Sequence, residues 1–331
     1  MSATNFALLS ANQDTSQPWS TLRSRWWMRF GLRCAGPDCP LAGKLWPSWL
    51  RKKDGVFFDG RWYCGRSCLE AILGGRVHTL LSSFHAERPR AHRIPLGLLL
   101  VHRGAISPAQ LREAIRRQRE AGHGKLGDWL RQTAELNAQQ ITAALGQQWG
   151  CPVFPLENQA VPAAWSDLIP LPLLVSAGAV PAYASPDGRM LHLAFGDRVD
   201  HTLLYAAEQM LSCRTFPCVA DNAAVQAQLE QFRKLTSGND TSFDTVRESP
   251  EMTWTICNYA VELKARGLVI SRAGAYIWVR FFREQSARDL LFRILPGSQA
   301  SYSERSAPRA KAFSASADGR KGGVSDASIP L

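Results

Sequence analysis

The sequence lacks the long apolar segments that cross membranes and the signals that direct secretion. Its 331 residues contain no apolar run approaching about 18 residues, and residues 1–20 have no basic-then-apolar signal pattern. We therefore expect a cytoplasmic protein without membrane insertion. In that compartment the 8 cysteines are expected to be thiols or metal ligands rather than disulfides.

The chain also lacks the motifs of common catalytic sites. No G-x-x-x-x-G-K-[ST] phosphate loop occurs, and the nearest segments, 319–323 and 124–127, have neither its spacing nor its Ser/Thr. A nucleophile elbow, a paired-carboxylate motif and a metalloprotease helix are absent as well. His192 and Asp197 lie on a strand pattern and in the turn after it. We therefore expect no catalytic residues and no enzyme activity.

The charge gives a weak indication of partners. The formal net charge is +11, but residues 151–240 are acidic on balance, so no single region is overwhelmingly basic. Bulk charge therefore does not favour nucleic acid as a partner.

Residues 31–88 contain four cysteines with the spacing of a metal site, in the order C-x4-C and then C-x3-C. An Asp-Gly turn between aromatic residues lies between the two pairs and predicts a hairpin. The pattern after the third cysteine is helical. A knuckle, a hairpin and a helix form the treble-clef plan, which predicts a structural Zn²⁺ site. The expected ligands are Cys34, Cys39, Cys64 and Cys68.

Alternatives remain open for this module. The cysteines could be four unrelated buried thiols, or His78 or His85 could replace one of them. A zinc-stabilised nucleic-acid-binding protein is the alternative function, since aromatic residues interleaved with basic ones suit single strands. It would use Arg51, Lys52 and Lys53 with exposed Trp46, Trp49 or Trp62, although these tryptophans also suit the core of a small domain. Cys213 and Cys218 form a second C-x4-C pair without a partner pair, and metal binding there is disfavoured.

Residues 94–148 contain two copies of one 24-residue pattern, offset by 30 positions. The aligned pairs are Pro95-Leu96-Gly97 with Lys125-Leu126-Gly127, Leu100 with Leu130, Ile106 with Leu136, Leu111 with Ile141, Ile115 with Leu145, and Gln118 with Gln148. Each copy predicts a short helix, a turn and a longer helix. Ser107 and Asn137 are the expected caps of the longer helices, each with a glutamine three residues later.

The remaining segments complete an α+β multidomain protein. The duplicated helical motif (94–150) is expected to pack on a small α/β part (151–235), in which strands alternate with helices. A linker (236–250) leads to a short α/β unit (251–296). A basic aromatic arm (1–30) and a Ser/Ala/Gly-rich tail (297–331) are expected to be disordered.

Residues 94–235 resemble the N-terminal domain of the type II secretion and type IV pilus assembly ATPases. That pattern has a leading Arg-Leu-Gly, spaced aliphatic residues, a mid-copy Gly and a closing Leu-x-x-x-Leu-x-x-Gln. The best understood branch of the family binds cyclic di-GMP with two such copies. The resemblance implies ligand positions at Leu96, Gly97, Leu111, Ile115 and Gln118 in copy one, and at Lys125, Leu126, Gly127, Ile141, Leu145 and Gln148 in copy two.

The sequence departs from that family in three respects. The leading arginine is Pro95 in copy one, which has no charge, and Lys125 in copy two, which lacks the planar fork of arginine. Gly104 is retained, but its counterpart is Ala134. Arg93 lies two residues before the leading position and could compensate. The phosphate loop of the ATPase motor is missing.

Two hypotheses follow for the duplicated motif. In the first, a non-catalytic regulatory or adaptor protein binds a protein partner, a component of the secretion or pilus machinery, and senses a cyclic dinucleotide. In the second, the leucine and glycine positions only build a helical bundle. Nucleic acid is the less favoured partner.

Overall fold

The computed structural model describes residues 33–40, 55–84, 93–158, 161–236, 238, 240–244, 248–283 and 286–294. The helices are α1 (Arg66–Ser82), α2 (Leu96–His102), α3 (Pro108–Ala121), α4 (Leu126–Ala134), α5 (Ala138–Trp149), α6 (Leu171–Ala177), α7 (His201–Leu211), α8 (Asn222–Leu235) and α9 (Ser249–Glu262). The strands are β1 (Val56–Phe58), β2 (Arg61–Tyr63), β3 (Ala179–Ala184), β4 (Met190–Phe195), β5 (Arg214–Val219), β6 (Asp240–Phe243), β7 (Gly267–Ala273), β8 (Tyr276–Phe282) and β9 (Ala287–Arg293). This confirms the α+β class.

Each copy of the duplicated motif forms a short and a longer helix, α2 and α3 in copy one and α4 and α5 in copy two. The copies pack on each other, with α3 against α4 and α2 against α5. Both longer helices begin with a capping box, in which Ser107 and Gln110, or Asn137 and Gln140, each bond the other's backbone N–H. The predicted caps are thus present in both copies. A shared core buries aliphatic residues from both copies, among them Leu100, Leu130 and Leu136.

Between α5 and α9 a three-stranded sheet has the order β3-β4-β5. β3 and β4 are antiparallel, whereas β4 and β5 are parallel and are connected through α7. The segment Cys151–Phe154 contributes an isolated bridge between Val153 and Val219. This sheet joins the duplicated motif, because Val219 on β5 is part of the motif's core.

The second sheet joins segments from the two ends of the described chain. Its order is β2-β1-β7-β8-β9-β6, with β1 parallel to β7. The segments 31–88 and 251–296 were expected to be separate units, but their strands form this one sheet and α1 and α9 share its core. Hydrophobic periodicity could not reveal this joining, because it depends on pairing between strands about 200 residues apart in the sequence.

Two strands of this sheet differ from the sequence prediction. β6 lies within 236–250, the predicted linker, and β7 was not foreseen. β6 is an edge strand that pairs only with β9, and its Asp-Thr-Ser-Phe sequence is polar because an edge strand is incompletely buried. The polar composition of this segment therefore did not indicate a strand.

The six-stranded sheet is buried on both faces. Alternate residues of β8 point to opposite sides, so that Ile277 packs towards α1 and α9, whereas Trp278 packs in the core of the three-stranded sheet. Arg280 on the second face forms a bidentate ion pair with Asp289, with Nε–Oδ1 and Nη2–Oδ2 distances of 2.8 and 2.7 Å. Arg280 also donates to the carbonyl of Leu168. This buried pair therefore ties the sheet to the 161–170 segment.

The arm at 1–30, the tail at 297–331, His85, Trp46, Trp49 and Arg51–Lys53 lie outside the described residues. Within the part of the chain that is described, no helix has the length and apolar character needed to span a bilayer.

Candidate functional site: a four-cysteine cluster and a duplicated helical motif

The four cysteines predicted as metal ligands converge. Cys34 and Cys39 lie in the 33–40 loop, Cys64 directly follows β2, and Cys68 lies in the first turn of α1. Their four Sγ atoms all lie within 4.8 Å of one another. The Cys39–Cys64 and Cys64–Cys68 sulfur distances are 3.5 and 3.8 Å. Tetrahedral Zn²⁺ with Zn–S bonds of about 2.3 Å would require sulfur–sulfur distances of about 3.8 Å, so the cluster could hold a metal ion.

The local sequence explains how the cluster closes. A Cβ atom on Gly36 would lie 2.9 Å from the Sγ of Cys68, so this close approach requires glycine. The backbone N–H groups of Gly36 and Cys64 donate to the Sγ of Cys34, at 3.5 and 3.4 Å. Trp62 is buried against Cys34 and Cys39. Trp62 is therefore a core residue and not an exposed platform for bases, which removes one element of the nucleic-acid alternative.

The thiol pKa values indicate what this cluster needs. Burial, with hydrogen bonds from Cys39 and Cys34, raises the pKa of Cys64 to about 11. Burial also raises the pKa of Cys68. Thiolates packed this closely are unfavourable unless a cation balances their charge, which is the role that a bound divalent metal has in such sites. The donor set therefore fits a closed metal centre.

Other candidate ligands lie elsewhere. His78 is exposed on α1 and is not among the converging groups. Among the described residues, Cys213 and Cys218 likewise belong to no cluster of metal-ligating groups. Burial raises the pKa of both thiols, as expected for inert core cysteines.

The Leu-Gly step of each copy lies where two helices of that copy meet. A Cβ on Gly97 would lie 2.5 Å from Cδ1 of Leu111, whereas a Cβ on Gly127 would lie 3.4 Å from Cγ2 of Ile141. Gly97 thus permits a close helix contact, while Gly127 would tolerate a methyl group at ordinary distance. The glycines therefore have a packing role in the structure, which is more demanding in copy one.

The two terminal glutamines form a reciprocal pair of hydrogen bonds. Gln118 of copy one donates Nε2 to the carbonyl of Gly124, which precedes the leading residue of copy two, at 2.9 Å. Gln148 of copy two donates to the carbonyl of Ile94, which precedes the leading residue of copy one, at 2.7 Å. Because 94 and 124 are equivalent positions, the terminal glutamine of each copy bonds the segment that precedes the other copy.

The aliphatic stripe is less accessible in copy two than in copy one. Ile141 and Leu145 are buried on α5. Their counterparts Leu111 and Ile115 on α3 are only half-buried. The difference arises because α5, unlike α3, packs on β5, where Gly146 lies against Val219 and the 151–153 segment. Leu96 and Leu126 are half-buried in their copies.

The leading positions begin the short helices. Pro95 is the N-cap of α2 and Lys125 is the N-cap of α4. Lys125 is half-exposed, with its Nζ 3.4 Å from Oδ2 of Asp197 and 3.2 Å from Oδ1 of Asn222. Lys125 thus extends from copy two to the loop that follows β4 and to the start of α8, which follows β5.

Copy one reaches the same edge of the three-stranded sheet through Arg93. The Arg93 guanidinium carbon lies 3.5 Å from the centroid of the Trp149 ring, and Nη2 lies 3.5 Å from Nε2 of His201, the first residue of α7. The leading segments of both copies therefore converge on the carboxyl ends of the parallel strands β4 and β5. In open α/β sheets this edge is the common location of ligands.

Sequence reasoning missed Trp149, His201, Asp197 and Asn222 as members of this site. None of them lies in the repeat pattern, and only the packing of the motif on the sheet brings them to it. Gly196 also contributes to this site. A Cβ atom at position 196 would lie 2.8 Å from Oδ1 of Asn222, so glycine lets the loop pass close to that side chain.

Comparisons with known proteins find solved structures that are similar to part of the chain. No family model and no curated protein matches the sequence. A solved structure described as "Structure of MshE with cdg" is 28% identical, covers 42% of this chain and 99% of its own, and has a TM-score of 0.36. The N-terminal domain of XpsE is 17% identical, covers 44% of this chain and 97% of its own, and has a TM-score of 0.32. Over about two fifths of its length, this chain is similar to these two solved structures, one of an N-terminal domain and one whose description includes "cdg".

Proposed function

We propose that this protein is a non-catalytic regulatory or adaptor protein in which the duplicated motif senses a cyclic dinucleotide and contacts a component of a secretion or pilus machine. One observation carries the proposal: the leading segments of both copies converge on the carboxyl ends of β4 and β5, through Arg93 and Lys125. Arg93 has no ion-pair partner among the described residues and Lys125 is paired only with the half-exposed Asp197, so this edge can attract an anionic ligand.

The symmetry of the motif supports a cyclic dinucleotide in particular. Cyclic di-GMP has two identical halves related by a twofold axis, and the reciprocal bonds of Gln118 and Gln148 relate the two copies in the same manner. Each copy can therefore present one half-site. Pro95 offers no donor, so binding is expected to be weaker than a leading arginine would give, since each charge-assisted hydrogen bond contributes about 1.5–3 kcal/mol.

Isothermal titration calorimetry with cyclic di-GMP tests this proposal on the full chain, with GMP as the single-half comparison. We expect saturable heat with cyclic di-GMP and none with GMP at equal concentration. Lys125→Ala should weaken binding, whereas Lys234→Ala on the last turn of α8 should not. Absence of heat at high micromolar cyclic di-GMP would contradict nucleotide sensing and leave only the adaptor role.

The protein contact is expected beside the same site. Ile94 and Leu98 are 60% and 56% exposed, lie four residues apart, and so present apolar surface next to the leading segment of copy one. Biolayer interferometry against purified components of type II secretion and type IV pilus machines tests this part. Leu98→Asp should abolish a specific signal and Val175→Asp, an exposed position on α6, should preserve it. A signal that Leu98→Asp leaves unchanged would refute this contact.

For the cysteine cluster we propose a structural Zn²⁺ ion bound by Cys34, Cys39, Cys64 and Cys68. Its chemical contribution when bound is to hold the knuckle, the hairpin and the start of α1 together. Metal analysis of reduced protein should find about one zinc per chain. Cys64→Ser should lower this content, and Cys257→Ser, on the buried face of α9, should not. Zinc-free wild-type protein prepared without chelator would overturn the assignment.

A further inference from the structure

The most unusual contact at the edge of β4 and β5 is the stack of Arg93 on Trp149. The guanidinium carbon lies 3.5 Å from the ring centroid. Arg93 is exposed, and no carboxylate of the described residues forms an ion pair with it. Lys125, in contrast, is compensated by Asp197. Arg93 therefore keeps an unbalanced charge, and its exposed guanidinium group lies over the indole ring.

Two neighbouring tethers hold this arrangement in position. Gln148 donates a hydrogen bond to the carbonyl of Ile94. The next residue, Trp149, contacts the guanidinium of Arg93, which precedes Ile94 in the chain. His201 completes the group, with its ring 6.3 Å from that of Trp149 and its Nε2 facing the guanidinium. An arginine that is held flat in advance loses little side-chain entropy when a second planar group stacks on it.

We propose that Arg93, Trp149 and His201 form the stacking site for one guanine base of a cyclic dinucleotide. The site substitutes for the arginine that Pro95 cannot supply. A purine stacks on a guanidinium plane as it does on an aromatic ring, and the positive charge also attracts the adjacent phosphate. This inference rests on the nucleotide sensing proposed above and identifies the residues that copy one uses for it.

At the equivalent positions of the repeat, the sequence again has one cationic and one ring side chain, but their order is exchanged. The counterpart of Arg93 is His123, and the counterpart of Trp149 is Arg119, each displaced by 30 residues. Both pairs therefore place one cation and one flat ring at equivalent positions of the sequence. Neither pair belongs to the repeat positions that the resemblance identifies.

The test compares the cyclic di-GMP affinities of wild type, Arg93→Ala, Arg93→Lys and Trp149→Phe by calorimetry. Stacking of one base contributes roughly 5- to 150-fold in affinity. We expect Arg93→Ala to weaken binding about tenfold or more. Arg93→Lys should also weaken it, because it retains the charge but not the plane. Trp149→Phe keeps an aromatic ring at this partly buried position. The variant should therefore fold, and a loss of affinity would report on stacking.

Matched controls use residues of the same type away from the site. Arg189→Ala lies in the turn between β3 and β4, and Trp254→Phe lies on α9, where the side chain is 55% exposed. Both should bind as wild type does. If wild type binds but all three site variants remain within about twofold of it, the stacking site is refuted and nucleotide sensing stands. If wild type itself gives no heat, both are refuted.

Discussion

The duplication provides a matched pair of glycine substitutions that tests helix packing in the two copies. Gly97 and Gly127 occupy equivalent positions, each the second residue of a short helix. A methyl group at Gly97 would lie 2.5 Å from Cδ1 of Leu111, and one at Gly127 would lie 3.4 Å from Cγ2 of Ile141. The same substitution by alanine is therefore expected to have different consequences in the two copies.

The magnitude follows from two opposing contributions. Alanine gains up to about 1 kcal/mol of helix propensity over glycine, equally in both copies. Overpacking costs about 1–3 kcal/mol, and only Gly97→Ala incurs it. The cost should fall at the lower end, because the nearest atom is the end of the half-buried Leu111 side chain. We expect Gly97→Ala to be less stable than Gly127→Ala by about 1 kcal/mol.

Differential scanning calorimetry of both variants measures this difference as a separation of unfolding midpoints of about 2–4 °C. A double-mutant cycle supplies the control, since Leu111→Ala removes the obstructing atoms and should cancel the penalty of Gly97→Ala. The reasoning is refuted if Gly97→Ala proves as stable as Gly127→Ala, or if the penalty persists in the Leu111→Ala background.

Three further predictions concern the turn, the buried ion pair and the cysteine cluster. Glu135 has a φ of 52°, so Glu135→Gly should raise the free energy of unfolding by about 0.5–1 kcal/mol; a lower denaturation midpoint would contradict this. Asp289→Ala leaves the buried Arg280 without its partner and should cost about 3–5 kcal/mol in urea unfolding, whereas a cost below about 1 kcal/mol would show that the pair is dispensable. Chelation should lower the unfolding midpoint of wild type and of Cys257→Ser but not that of Cys64→Ser, and equal responses from all three would exclude a metal centre at the cluster.

The cysteine cluster was largely predictable because its elements are local. Spacing and an Asp-Gly turn predicted the knuckle, hairpin and helix, and the structure brings Cys34, Cys39, Cys64 and Cys68 together. The capping boxes of α3 and α5 were predictable for the same reason, since each involves residues three apart. In contrast, the left-handed residue of copy two is Glu135, not the Ala134 that aligns with Gly104. α4 continues through Ala134, which has the higher helix propensity.

Contacts between segments distant in the sequence determined the rest of the fold and of the site. β1 pairs with β7, β6 pairs with β9, and Arg93 meets His201 across 108 positions. No local pattern specifies such partners, because either face of an amphipathic helix or strand is satisfied by any apolar surface of suitable shape.

By itself the sequence determined the duplicated motif, its caps and the spacing of four thiols, because these depend on contacts within a few residues. Only the tertiary structure decided that the two ends of the described chain share one sheet and that the two copies present Arg93 and Lys125 to the same strand edge. The physical reason is that burial of both faces of the six-stranded sheet requires elements distant in sequence, and their packing positions the site.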